Sequence, residues 1–265
     1  MTMTARSQTQ NQTWLEAVTE LATRTGRVAL TRYRKGITVD LKHDKSPVTE
    51  ADRAAEQFAR EWIASRFPEH GIVGEEFGET NPSAKLRWFI DPIDGTRTFV
   101  AGVPLWGTLI ALCDGETTIA GAAAYPAAGE SIAAAVGEGC WSNGSRCAVS
   151  HTSSLERAVV LTTDERFKST PQHRDGWMRL AASANTSRTW GDCYGYLLVA
   201  TGRAEVMIDG SMMPWDAAPF VPIITEAGGV FVDYTGRTTG FGSGAIATNA
   251  ALASTVHDML GVVRG

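Results

Sequence analysis

Carboxylates at three places in the chain have the spacing to meet in one pocket. Glu75 and Glu76 follow the short apolar run Ile72-Val73. Asp91 and Asp94 flank Pro92 and Ile93 at the end of the run Trp88-Phe89-Ile90, with Gly95 directly behind. Asp216 opens a helix after Pro214 and Trp215. Pro92 favours an extended residue before it and supplies no ladder donor, so an apolar strand is expected to end at Asp91. Gly95 then allows a tight turn into a short helix, and Asp91 and Asp94 project into the same pocket. The N–H groups around Gly95, Thr96 and Arg97 would form an anion cradle there. Four carboxylates facing one pocket repel each other strongly without a cation. Oxygen-rich sites suit hard divalent ions, and magnesium keeps some waters while taking phosphate oxygens from a substrate. The chemistry open to such a set is metal-assisted attack of water at a bound phosphate group.

Each segment alone has a plainer explanation. Asp94-Gly95 is a common turn, Asp216 complements a helix dipole, and Glu75-Glu76 fits a solvated acidic face. The combination, in this order and context, is what weakens those explanations.

The elements that must position these residues can be read from hydrophobic spacing. Trp14, Leu15, Val18, Leu21, Ala22, Val28 and Ala29 predict an amphipathic helix from Trp14 to Tyr33. A second helix is expected after Thr49, running to Phe67 before Pro68, with Thr49 and Asp52 as a capping pair. Arg87–Ile90, Leu105–Leu112, Thr117–Ala124 and Ser131–Val136 read as strands separated by turn residues. Beyond about Ser150 helices are expected at Asp175–Ala184, Tyr194–Thr201 and Asp216–Ala227. Strands are expected at Ala204–Ile208, Val230–Asp233 and Ala245–Ala247, followed by a C-terminal helix. GFGSG (240–244) lacks a following Lys and reads as a turn into that last strand. The pattern is a layered α/β protein of two lobes around a metal cleft, with a soft boundary near Ser150.

Composition excludes several alternatives. The 265 residues carry a net charge of −5 with no Lys/Arg-rich run, which argues against a broad nucleic-acid face. No stretch reaches the ~20 apolar residues of a membrane span. The polar first dozen residues lack a signal-peptide core and are expected to form a frayed tail on a cytoplasmic protein. Cys113, Cys140, Cys147 and Cys193 form no CxxC pair; Cys140 and Cys147 could pair, but reduced thiols are expected. Dispersed histidines leave no HExxH motif or zinc site. The DxxD of DPID is not the DxD of aspartyl-phosphate enzymes, and no CxxxxxR loop, GxSxG or P-loop is present.

GEE (74–76), DPIDGT (91–96) and PWDAAPFVPIITEAGG (214–229) together resemble the inositol monophosphatase family of magnesium-dependent phosphatases. The likeness runs from about Trp14 to the last helix. It implies one catalytic domain over residues 8–262, with lobes at about 8–150 and 151–262, in an alternating α-β-α-β-α fold of the sugar-phosphatase type. It also implies two or three Mg2+ ions and a homodimer. The metal ligands implied are Glu75, Asp91, the Ile93 carbonyl, Asp94 and Asp216. Asp52, within SPVTEAD (46–52), would support a weaker additional site. Two-metal logic assigns catalysis to Glu75, Thr96 and Asp94. One metal and Glu75 would lower the pKa of a water that Thr96 helps orient, and a second metal would stabilise the leaving oxygen. The Gly95–Thr96 backbone would hold the phosphate.

Specificity is expected from RTWGDCYGYLLVATG (188–202), where inositol-type members usually have small residues. WGDCYGYLLVATGRAE (190–205) and GVPLWGT (102–108) look like the histidinol-phosphate phosphatase branch. Asp192 could pair with the substrate ammonium, Asp209 could add a second carboxylate, and Trp190 could stack on the imidazole. Plainer roles are a helix N-cap for Asp192, core for Trp190 and a turn for Asp209-Gly210. Arg188 would neutralise phosphate or anchor Asp192. The expected activity is release of phosphate from L-histidinol phosphate in histidine biosynthesis. The alternatives are inositol 1-phosphate or a sugar phosphate as substrate, or an idle relative serving as a protein- or RNA-binding partner.

Overall fold

The computed structural model describes residues 8–36, 39–41 and 47–262. Helix α1 (Gln8–Leu30) begins a turn and a half before the expected Trp14, so Gln8–Gln12 are helical rather than part of a frayed tail. The side chain of Asn11 donates to the Val136 carbonyl, which ties this first turn to the sheet below. A ribbon of β1 (Val39–Leu41) and β2 (Pro47–Thr49) precedes α2 (Glu50–Arg66). Ser46, in the SPVTEAD segment, lies outside the described residues. Thr49 caps α2 as expected: its hydroxyl accepts from the Ala51 N–H, and Asp52 Oδ2 accepts from both Thr49 N and Thr49 Oγ1.

Next in the chain come β3 (Gly71–Gly74), β4 (Gly78–Thr80), β5 (Leu86–Asp94), the short α3 (Thr96–Val100), and β6 (Gly107–Asp114). They are followed by β7 (Thr117–Tyr125), β8 (Glu130–Ala135), β9 (Gly139–Ser142) and β10 (Ser145–Arg146). The eight strands form one sheet in the order β10-β9-β8-β7-β6-β5-β3-β4, antiparallel except for β3 beside β5. The second half supplies β11 (Val159–Thr162), α4 (Arg174–Ser183), β12 (Thr186–Arg188), α5 (Cys193–Ala200) and β13 (Val206–Asp209). It ends with α6 (Pro214–Ala217), α7 (Phe220–Glu226), β14 (Gly229–Val232), β15 (Ala245–Asn249) and α8 (Ala253–Leu260). Its five strands run β12-β11-β13-β15-β14.

Three apolar clusters bind the layers. Trp14, Val18, Leu21, Trp62 and Ile63 of α1 and α2 cover one face of the large sheet over Trp88, Ile90, Ile110 and Leu112. Tyr196, Leu197, Phe220 and Ile223 of α5 and α7 fill the space between the two sheets. Trp177, Leu180 and Val256 of α4 and α8 close the outer face of the smaller sheet. The result is the expected α-β-α-β-α stack. β6 and β7 are buried along almost their whole length because helices cover both faces, which is why they read as apolar runs without alternation.

One expected element divides, and four strands appear that were not expected. The helix predicted over Asp216–Ala227 is two helices, α6 and α7, because Pro219 has no N–H to continue the first. β9 to β12 are too short, or too polar at β10 and β12, to stand out by periodicity. Cys140 and Cys147 are free thiols with sulfurs 3.4 Å apart. No helix among the described residues is long and apolar enough to cross a membrane.

Candidate metal-carboxylate site

The strand carrying DPID does not stop at Asp91; β5 continues to Asp94 through a bulge. Against β6, Asp91 pairs with Leu109 and Asp94 with Gly107, so β5 holds one residue more than its partner between those points. Pro92 cannot donate to the ladder, which favours the interruption. The Thr108 hydroxyl secures it by donating to the Pro92 carbonyl at 2.7 Å. In a regular strand residues three apart face opposite sides. The extra residue cancels that alternation and lets Asp91 and Asp94 point the same way.

Carboxylate oxygens of Asp91, Asp94 and Asp216 lie within 4.8 Å of one another. Asp216 arrives from the first turn of α6, where its Oδ2 accepts the Met213 N–H at 2.9 Å. Glu75, on the turn after β3, is close enough to hydrogen-bond to Asp91 and to act on Asp216. That turn is held from beneath by the fully buried Glu56. It accepts from the N–H groups of Glu76 and Phe77 and pairs with Arg60 at 2.7 Å. The Ile93 N–H donates to Asp91 Oδ1, and the Ile93 carbonyl accepts from the Thr96 hydroxyl at 3.1 Å.

The electrostatics of this cluster are those of acids crowded without a counter-charge. Burial first, then Glu75, Asp94 and Asp216, drive the Asp91 carboxyl well above its ordinary range. Asp94 is raised by burial and by Asp192 and Asp216, although the Cys193 N–H at the start of α5 donates to it at 2.5 Å. Burial likewise pushes Asp216 up to about 7. Asp52 is raised by burial, with Glu75 adding to it; its Oδ2 serves the helix cap, while its Oδ1 is buried with no hydrogen-bond partner among the described residues. A spare buried oxygen beside mutually destabilised carboxylates is a donor set that fits a divalent cation bound through oxygen.

Gly95 has φ +81°, and a Cβ there would lie 3.0 Å from Asp192 Oδ2. Only glycine serves both the turn and this close approach. It brings the wall around Asp192 against the acidic cluster. Glu75, Thr96, Arg97, Thr163 and Asp192 line a cavity of about 370 Å³. A second cavity of about 240 Å³ continues from Asp192 and Thr163 to Asp94, Asp209 and Asp216.

On the Asp192 side several expectations are refined. Asp192 occupies the N-cap position of α5, but its side chain does not cap the helix: Oδ2 accepts from the Thr98 hydroxyl at 3.0 Å. Its φ of 49° is uncommon for a residue with a Cβ. Asp209, at the end of β13, is buried facing the cavity, with Oδ2 accepting from the Tyr196 hydroxyl at 2.9 Å. Burial raises it to about 6. Trp190 is 45% exposed and therefore not core. Arg188 does not anchor Asp192; its Nη1 donates to the Ser187 carbonyl, and its guanidinium lies over the Trp190 ring at 6.0 Å. Glu56, Thr98, Thr163 and Tyr196 went unnoticed in the sequence because each acts through a partner distant in the chain, leaving no local motif.

A layered α/β fold with convergent acidic residues at a strand bulge, a short helix N-terminus beside them and a cleft between two sheets defines a class of phosphate-ester hydrolases. The inositol monophosphatase family model matches residues 10–260. Histidinol-phosphatase of Chlorobaculum parvum is 42% identical over 240 residues, covering 90% of this chain and 93% of that protein. Histidinol-phosphatase of Mycobacterium tuberculosis is 34% identical over 231 residues, covering 84% and 89%. Among solved structures, the extragenic suppressor protein suhB of Bartonella henselae superimposes with a TM-score of 0.85 at 27% identity, covering 91% and 95%. The chain belongs to the inositol monophosphatase family and is a phosphatase, a phosphoric monoester hydrolase.

Proposed function

We propose that the chain is a magnesium-dependent phosphatase of L-histidinol phosphate, releasing L-histidinol and phosphate in histidine biosynthesis. Residues 8–262 act as one catalytic domain. Glu75, Asp91, the Ile93 carbonyl, Asp94 and Asp216 would hold two ions, and the spare oxygen of Asp52 supports a weaker further one. Magnesium, when bound, supplies the positive charge that activates a water and stabilises the leaving oxygen. Thr96 donates a hydrogen bond to the Ile93 carbonyl, so its lone pairs are left to accept a hydrogen bond from a water and orient it with Glu75. First-turn N–H groups of a helix have no acceptor within it, and those at Gly95 and Thr96 suit a phosphate oxygen.

The observation that carries the substrate assignment is Asp192. It places a carboxylate between the phosphate end of the cleft and the deeper cavity that Asp209 lines. Two acids there favour an ammonium-bearing alcohol over a neutral polyol. Trp190, exposed beside this wall, offers a ring face for the imidazole. The two named relatives act in the same direction, as does the departure of WGDCYGY from the small residues of inositol-type members. The homodimer implied by the resemblance and the cytoplasmic location expected from the polar first residues belong to this reading.

The test is phosphate release with and without magnesium, comparing L-histidinol phosphate with inositol 1-phosphate. Magnesium-dependent preference for histidinol phosphate supports the assignment. Preference for inositol phosphate keeps the metal chemistry and overturns the substrate. Release from neither, with tight binding of a protein or RNA partner, overturns both.

A further inference from the structure

A substrate ammonium held by Asp192 and Asp209 requires two carboxylates from separate elements to keep one fixed spacing. Asp192 starts α5, and Asp209 ends β13. One residue touches both. Thr163, immediately after β11, accepts the Asp192 N–H on its hydroxyl at 2.8 Å. Its own N–H donates to Asp209 Oδ1 at 3.2 Å. It also lines both cavities.

The approach of these segments depends on Gly191. A Cβ there would fall 2.4 Å from Thr163 Cα and 2.6 Å from its hydroxyl oxygen, so a side chain would drive the two strands of backbone apart. The conformation of the next residue is costly as well: φ 49° and ψ −154° at Asp192 lie close to territory that is glycine's alone. Such a backbone persists only where its surroundings hold it. The Thr163 hydroxyl takes the main chain at that residue, and the Thr98 hydroxyl takes its side chain. Among the described residues, every hydrogen bond reaching the two carboxylates comes from a neutral donor: Thr98, Thr163 and Tyr196. The pair is thus oriented by neutral donors, while the Arg97 guanidinium, which lines the same cavity, acts on Asp192 electrostatically.

We infer that Thr163 is a positioning residue that sets the spacing of the Asp192–Asp209 pair for a primary ammonium on the substrate. The inference rests on the function proposed above and adds the residue through which the specificity is built. In this role Thr163 acts through the two acids it hydrogen-bonds.

The experiment is steady-state kinetics with magnesium on two esters, L-histidinol phosphate and p-nitrophenyl phosphate, which has no ammonium. Thr163→Val keeps the shape and the N–H to Asp209 but removes the acceptor for the Asp192 N–H. Its KM for histidinol phosphate is expected to rise about ten-fold, the loss of one hydrogen bond. Its kcat on that ester and its KM for p-nitrophenyl phosphate should stay within about two-fold, and Thr163→Ser should restore the first KM. A parallel rise on both esters, or no change on either, overturns the positioning role. Should Thr163→Val not fold, Thr163→Ala carries the same readout. Asp192→Asn, measured alongside, separates two kinds of failure. If it retains the wild-type preference for histidinol phosphate, the ammonium reading itself is wrong, and the Thr163 inference falls with it. If it loses that preference while Thr163→Val keeps it, only the inference about Thr163 is wrong.

Discussion

The acidic wall at the end of β5 and the opposite wall around Asp192 line the same cleft, yet they are assembled in different ways. In the first, Pro92, the bulge and the φ of Gly95 set the directions of Asp91 and Asp94 within a few residues of chain. In the second, Asp192 is held by Thr98 and Thr163, and Asp209 by Thr163 and Tyr196, each bond joining one element to another. Constraints concentrated in a few residues of β5, read against its neighbour β6, fix the wall to which the proposed function assigns the chemistry. Long-range contacts set the wall to which the proposed function assigns substrate choice, where a change in any partner would retune the pocket without disturbing Asp91 and Asp94.

The sharpest way to break this contrast is Asp94→Asn. It removes a charge from the acidic wall and should lower kcat by at least about 10³-fold, while the circular dichroism spectrum stays that of the wild type. Activity near wild type would remove Asp94 from the catalytic set. On the other wall, Asp192→Asn should raise KM for histidinol phosphate by about 10- to 100-fold, as expected for loss of a charge-assisted contact, with kcat much less affected. Equal losses on a neutral ester would make Asp192 a structural residue.

Metal removal tests the crowding of the acidic wall. Burial raises Asp216 from 3.8 to about 7, so the folded state prefers its proton. The stability this contributes is complete below pH 3.8 and is lost as pH rises through about 7. Stripped of metal with a chelator, the wild type should therefore lose thermal stability relative to Asp216→Asn across that range. Magnesium should raise the wild-type Tm more at pH 8 than at pH 5, because its ligands must be deprotonated. A Tm difference between the two proteins that does not vary with pH would contradict the shift.

The smallest effect is expected at the bulge. Thr108→Val removes the bond to the Pro92 carbonyl and should cost about 1 kcal/mol, a few degrees in Tm. Because Asp91 and Asp94 depend on that bulge, kcat should fall measurably as well. An unchanged kcat would show that the proline and glycine hold the geometry without it.

Much of the fold was legible where hydrophobic periodicity was long. The α2 cap, the central strands and the helix opening at Asp216 follow directly from residue order. The extension of β5 past Asp91 was not, since Pro92 reads as a strand stop. Only pairing with β6 turns that stop into a bulge. The break between α6 and α7 was signalled by Pro219 but masked by the apolar run on either side. Arg188 looked like an anchor for Asp192 because the two are near in sequence, yet its bond goes to its own neighbour's carbonyl.

The sequence by itself determined which acids exist, which turns precede them and which family the chain resembles. These are carried by contiguous motifs whose backbone preferences act over a few residues. Tertiary structure alone decided that Asp91, Asp94 and Asp216 converge within 4.8 Å, that one Asp52 oxygen meets no hydrogen-bond partner among the described residues, and that Thr163 joins Asp192 to Asp209. Each of those facts depends on sheets and helices packing at fixed distances, and no local pattern of residues encodes a distance between segments far apart in the chain.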